Sequence, residues 1–212
     1  ALCMMVLMLP MAAFAEEDGN SSKKARYTVL VLDTSASANF LDSQDEIIYT
    51  ADSAIDYVKQ AAQKFLINLS KNSNRENYVA VISYKRSAEV VADFTTDIGA
   101  ASDSINKLEA SQDRSIYEGL KTADELLSNV PDDEDITKNV VLVTTGMTNV
   151  GEYDYSGHYD DTVVGGSWQN ANTKIRLYAY ANAAYNAAEK VKERADLYTL
   201  GMFQTMEDMP EE

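Results

Sequence analysis

Five apolar runs and four amphipathic stretches alternate along the chain and set its element order. Tyr27 to Leu32 (YTVLVL) is aliphatic and β-branched without polar alternation, which suits a strand buried on both faces. Asp45 to Leu69 carries Ala51, Ile55, Val58, Ala62, Phe65 and Leu69 at alternating steps of four and three, one face of an amphipathic helix. Tyr78 to Tyr84 (YVAVISY) and Ala88 to Phe94 (AEVVADF) read as strands joined by Lys85-Arg86-Ser87. So short a connection requires an antiparallel hairpin, because a parallel crossover needs about a dozen residues or more. Ile98 to Leu108 reads as a short helix, and Ser115 to Leu127 as a firmer one with Ile116, Leu120, Ala123 and Leu127 on one face. Asn139 to Thr144 (NVVLVT) is another apolar strand. Leu177, Ala181, Ala184, Ala188 and Val191 mark a last helix, and Asp196 to Phe203 a last strand.

Helices alternating with buried strands predict an α/β fold: a doubly wound, mostly parallel sheet with one antiparallel edge strand and helices on both faces. In such sheets ligands bind outside the carboxyl ends of the strands. Asp33 stands where the first strand emerges, and Ser35 and Ser37 follow at every second position. In an extended loop all three side chains can face one way, making an all-oxygen cluster of the kind Mg²⁺ or Ca²⁺ prefers. Val150 to Asn172, rich in Gly, Asp, Asn and aromatics, reads as an inserted loop.

The first fifteen residues carry no charge and close on Ala13-Phe14-Ala15, which predicts a secretory signal lacking its start. Residues 16–26 read as a flexible leader, and 27–212 as one domain. Beyond the signal there is no cysteine, so core burial alone must hold the domain together. The formal charge of −16 disfavours nucleic acid and anionic membrane surfaces as partners. The mature domain is therefore expected to be secreted or at the cell surface, without membrane insertion.

Asp33-Thr34-Ser35-Ala36-Ser37 after the first strand resembles the DxSxS motif of von Willebrand factor type A domains. SIYEGLKTA (115–123) is similar to that family's helix start after its second site loop, NVVLVTTG to its fourth strand, and YTLG (198–201) to its fifth. The resemblance runs from Tyr27 to Phe203 and implies that a final strand and helix would lie beyond the end of the sequence. It implies a metal-ion-dependent adhesion site in which Asp33, Ser35 and Ser37 match the first loop. The other two loops depart from the family pattern. Where a Thr is expected stands Arg114, with Asp113 and Ser115 on either side; where Thr-Asp-Gly is expected stands Thr144-Thr145-Gly146. Two readings follow. Either Asp33, Ser35 and Ser37 with Ser115 or Thr145 hold Mg²⁺ or another divalent cation, completed by a partner's carboxylate, or Arg114 pairs with Asp33 and replaces the metal.

The expected function is a binding or adhesion module and not an enzyme, recognising an extracellular protein ligand through the loops at the carboxyl edge. Candidate ligand-facing residues are Asn39, Asp113, Arg114, Tyr153, Tyr155, His158 and Trp168. The alternatives are a metal-free scaffold within a larger secreted protein and a hydrolase using Asp33. The triplet Asp33-Thr34-Ser35 is shared with aspartic proteases, but its nearest second candidate, Thr144-Thr145-Gly146, lacks the acid. The sequence has no GxSxG elbow, and its single histidine, His158, has no evident partner.

Overall fold

Ala25–Asp33 forms β1, the central strand, and in the computed structural model it pairs in parallel with neighbours on both sides. The structure describes residues 25–35, 54–71, 75–157 and 171–202, with side chains in the last range from 176 onward. β2 (Glu76–Tyr84) and β4 (Ile136–Thr144) flank β1; β3 (Ala88–Thr95) lies outside β2 and β5 (Asp196–Gly201) outside β4. The sheet order is β3-β2-β1-β4-β5, parallel except for β3, as the element pattern predicts. Among the described residues four helices complete the fold: α1 (Ala54–Ser70), α2 (Ile98–Asn106), α3 (Ile116–Leu127) and α4 (Ala171–Lys192).

The continuous apolar character of β1 is explained by the two cores it divides. Val29 and Val31 join Ile82, Tyr84, Val140 and Leu142 under α3 and α4, which supply Leu120, Ala123, Leu127, Ala187 and Val191. Leu30 and Leu32 face the other way, with Val79, Val81, Val141 and Val143, under Val58, Ala62 and Leu66 of α1 and Ala101 and Ile105 of α2. Each fully buried Val, Leu or Ile among them contributes about 1.5–3 kcal/mol, and each Ala less. On the first of these faces α3 comes so close that a Cβ at Gly119 would lie 2.9 Å from Val31 Cγ1 and 3.0 Å from the Tyr84 ring. A side chain there has nowhere to go.

Boundaries differ modestly from the sequence expectation. β1 begins before Tyr27, since Ala25 and Arg26 pair with Glu76 and Asn77, so the expected leader gives up its last two residues to the sheet. α2 ends at Asn106, where Leu108 N–H turns back to Ile105 O at 3.2 Å. Ser115 precedes α3 as its N-cap. The expected signal segment, the start of the first long helix before Ala54, and residues 158–170 of the inserted loop lie outside the described residues.

Candidate functional site at the carboxyl edge

Because β1, β2 and β4 run parallel, their last residues meet at one edge, and the loops that follow converge on Asp33. Asp33 is fully buried. Its Oδ2 accepts from Arg114 Nε at 2.7 Å, from Thr145 N–H at 2.8 Å and from the Thr145 hydroxyl at 2.8 Å. Its Oδ1 accepts from Ser35 N–H at 3.0 Å. Oδ2 thus carries three donors where it has two lone pairs, and an opposite charge among them. A buried carboxylate is costly unless paired and hydrogen-bonded, and here it is both.

Arg114 arrives from the loop between α2 and α3. That loop turns at Gln112, whose φ of 64° lies in the left-handed region. The guanidinium is itself buried, with its side chain 5% exposed. Its Nη1 donates to Met147 O at 2.9 Å and its Nη2 to Thr145 Oγ1 at 2.7 Å. Gly146 makes room for it, since a Cβ there would lie 2.5 Å from Nη1. The Arg114 backbone is held as well: its N–H donates to Asn149 Oδ1 at 2.7 Å, and its carbonyl accepts from Asn149 N–H at 3.0 Å and Val150 N–H at 3.2 Å. Buried Thr148 sits in the same turn, with Oγ1 3.2 Å from Arg114 O.

Beneath this cluster Thr34 ties β1 to β2, its N–H donating to Tyr84 O at 2.9 Å and its Oγ1 lying 2.8 Å from Ser83 Oγ. Tyr84 is fully buried and donates to Val143 O at 3.3 Å. Burial first, and then the Asp33 charge, hold its hydroxyl well above the ordinary phenol range.

The expected metal ligands separate on inspection. Asp33 and Thr145 are in direct contact, and Ser35 joins them through its backbone N–H. The Ser115 hydroxyl is engaged elsewhere: it caps α3 by accepting from Glu118 N–H at 3.4 Å, and its own N–H donates to Lys85 O at 2.7 Å. Asp113 is exposed and pairs with Arg86, outside the buried cluster. Ser37, Asn39, His158 and Trp168 lie outside the described residues. The donors that are described do not suit a divalent cation, because Asp33 Oδ2 already carries three donors and one of them is a guanidinium. Asn149, Thr148 and the space at Gly146 escaped sequence reasoning. Their only trace is the polar run after the fourth apolar strand, which does not say what the residues meet.

The inserted loop begins with a built contact to α4. Asp154 N–H donates to Ala179 O at 3.1 Å, Asn182 Nδ2 to Asp154 O at 3.0 Å, and Asn186 Nδ2 to Asp154 Oδ2 at 2.6 Å. The Ser156 N–H and hydroxyl both donate to Asp154 Oδ1 at 2.9 Å. These bonds set Tyr153 parallel to Tyr155, with centroids 5.8 Å apart, and against Tyr180 at 4.8 Å. Tyr180 donates its hydroxyl to that of Tyr153 at 2.8 Å, and burial together with this bond raises its pKa to about 12. Tyr153 and Tyr155 nevertheless remain 45% and 60% exposed, and Met147 is 54% exposed.

The profile of the von Willebrand factor type A domain matches residues 28–147, more than half of the chain, and the chain belongs to that family. No sequence among the curated proteins matches it. Among solved structures it is similar to the PilB minor pilin from Streptococcus sanguinis, with a TM-score of 0.59 and 15% identity, over 87% of this chain and 58% of that one. It is also similar to the pilus adhesin SpaC from Lactobacillus rhamnosus GG, with a TM-score of 0.58 and 13% identity, over 83% and 24% of the two chains. A third similarity is to proximal thread matrix protein 1 from the mussel byssus, with a TM-score of 0.55 and 15% identity, over 84% and 38%. The chain therefore spans less than two thirds of each of these proteins, and at these identities the likeness establishes the fold alone.

Proposed function

We propose that this domain is an extracellular, non-enzymatic binding module of adhesion type, which recognises a protein ligand with the loops at the carboxyl edge of its sheet. The observation that carries this reading is the knitting of three separate loops, those after β1, before α3 and after β4, into one buried cluster at that edge. A preorganised cluster lowers the ordering cost of binding on the surface above it. The chain that follows β4 exposes Met147, Tyr153 and Tyr155, and aromatic and Met side chains are enriched at interfaces. The names of two structural neighbours, a pilus adhesin and a minor pilin, support the same reading and a cell-surface location. Among the described residues no helix is long and apolar enough to cross a membrane.

A hydrolase using Asp33 fits poorly. Its carboxylate is fully buried and saturated by donors, so it has no lone pair on Oδ2 with which to attack a substrate or accept a proton. The test of the binding reading is biolayer interferometry against a panel of purified extracellular matrix proteins and cell-surface proteins. The expected result is saturable binding to at least one of them, weakened about tenfold or more, roughly 1.4 kcal/mol, in a Met147→Ser/Tyr153→Ser/Tyr155→Ser variant that still folds. Equal binding by that variant, or turnover of a substrate lost in Asp33→Asn, would refute the reading.

A further inference from the structure

We propose that the Arg114 guanidinium is a built-in substitute for a bound cation, so that the Asp33 site ties its loops together without metal and accepts a divalent ion only once Arg114 is removed. A divalent ion in this place would have to link the chain after β1 to the chain after β4 through oxygen ligands. Both links are already made by nitrogen donors: Arg114 Nε to Asp33 Oδ2 at 2.7 Å and Arg114 Nη1 to Met147 O at 2.9 Å.

The charge of the cluster is balanced in the same way. One carboxylate faces one guanidinium at 2.7 Å, and both are buried. With one carboxylate a dication's second charge would stay uncompensated, since the group beside Oδ2 is the neutral Thr145 hydroxyl. The seat is also shaped for arginine. Gly146 leaves the space that Nη1 fills, and Thr145 Oγ1 accepts from Nη2 while donating to Asp33, relaying one hydrogen bond into the next. Lysine, a point charge without the planar fork, could not make these three contacts together.

Removing Arg114 and supplying the missing acid at position 145 reverses both features, leaving two carboxylates and a vacated, oxygen-lined space, the donor chemistry of a Mg²⁺ or Mn²⁺ site. The experiment is isothermal titration of the whole chain with Mg²⁺, Mn²⁺ and Ca²⁺, paired with thermal melting in EDTA and in Mn²⁺. No partner protein is present, so the outcome is independent of the proposed ligand binding. The wild type is expected to give no saturable heat and the same melting temperature in both buffers. The Arg114→Thr/Thr145→Asp variant is expected to gain saturable Mn²⁺ binding that a further Asp33→Ala removes. Micromolar binding by the wild type that Asp33→Ala abolishes would overturn the proposal, as would a folded double variant that binds no better than wild type. Should the double variant not fold, the wild-type Arg114 Nε–H resonance gives the answer. It is expected to stay sharp in Mn²⁺, and selective paramagnetic broadening of that signal would overturn the proposal.

Discussion

Asp33 and Arg114 form an ion pair with both side chains buried, and each is costly without the other. Arg114→Met keeps much of the stem but leaves the Asp33 carboxylate buried without its counter-charge, and a loss of about 3–5 kcal/mol is expected. Urea denaturation measures it, and a loss below about 1 kcal/mol would mean that the pair contributes little. Gly146→Ala tests the seat from the other side. Its Cβ would lie 2.5 Å from Nη1, so the guanidinium must shift and the variant should lose a substantial part of what Arg114→Met loses. Asp33 is legible in the sequence because an acid closing an apolar run marks the end of a buried strand, and Arg114 because it stands where the family pattern has a neutral residue. The place of Gly146 is not legible, since it depends on a side chain arriving from another loop. Ser115 shows the same limit: a hydroxyl beside the site reads as a ligand, and only the start of α3 at Ile116 reveals it as a cap.

At the scale of elements, α3 and α4 carry one face of the sheet and are clamped to each other by charge. Asp124 of α3, nearly buried, lies 2.8 Å from Arg194 Nε and 3.5 Å from Lys190 Nζ. Beneath that clamp, Leu120→Ala removes a side chain that is 1% exposed, and a loss of about 2–5 kcal/mol is expected in the same denaturation assay. The segment docked on α4 brings a pH dependence. The Tyr180 hydroxyl titrates near 12 and that of Tyr84 well above the ordinary value of 10.0, so folding favours the neutral phenols. The unfolded chain gives up these protons first. Stability should therefore hold up to about pH 10 and fall as the pH rises toward 12, with tyrosinate absorbance at these residues appearing together with unfolding. A tyrosinate signal that is complete near pH 10 with the fold intact would contradict this. The periodicity of α1 and α3 is plain in the sequence because each buries one stripe against one core. The docking of Asp154 on α4 is not, because the bonds made by Asn182 and Asn186 have no periodic signature.

For the whole molecule, the element order and the antiparallel edge follow from the sequence because every strand but β3 is buried on both faces over much of its length or joined by a crossover helix. The hairpin at Lys85-Arg86-Ser87 then leaves β3 only one place to go. Net charge acts at the same scale. With 34 acidic residues against 18 basic, the fold works against its own repulsion, and added salt screens that repulsion while leaving the buried Asp33–Arg114 pair largely unaffected. The melting temperature is expected to rise between low and physiological ionic strength, and a fall would indicate that surface ion pairs dominate.

A sheet whose carboxyl edge is closed by an arginine should hold that edge in one state with or without divalent ions. The direct measurement is an anomalous difference map from crystals of the wild-type chain soaked in Mn²⁺. The expected map has no peak beside Asp33, with the Arg114 guanidinium ordered 2.7 Å from Oδ2. A Mn²⁺ peak at about 2.1 Å from the Asp33 carboxylate, with Arg114 turned away, would contradict it.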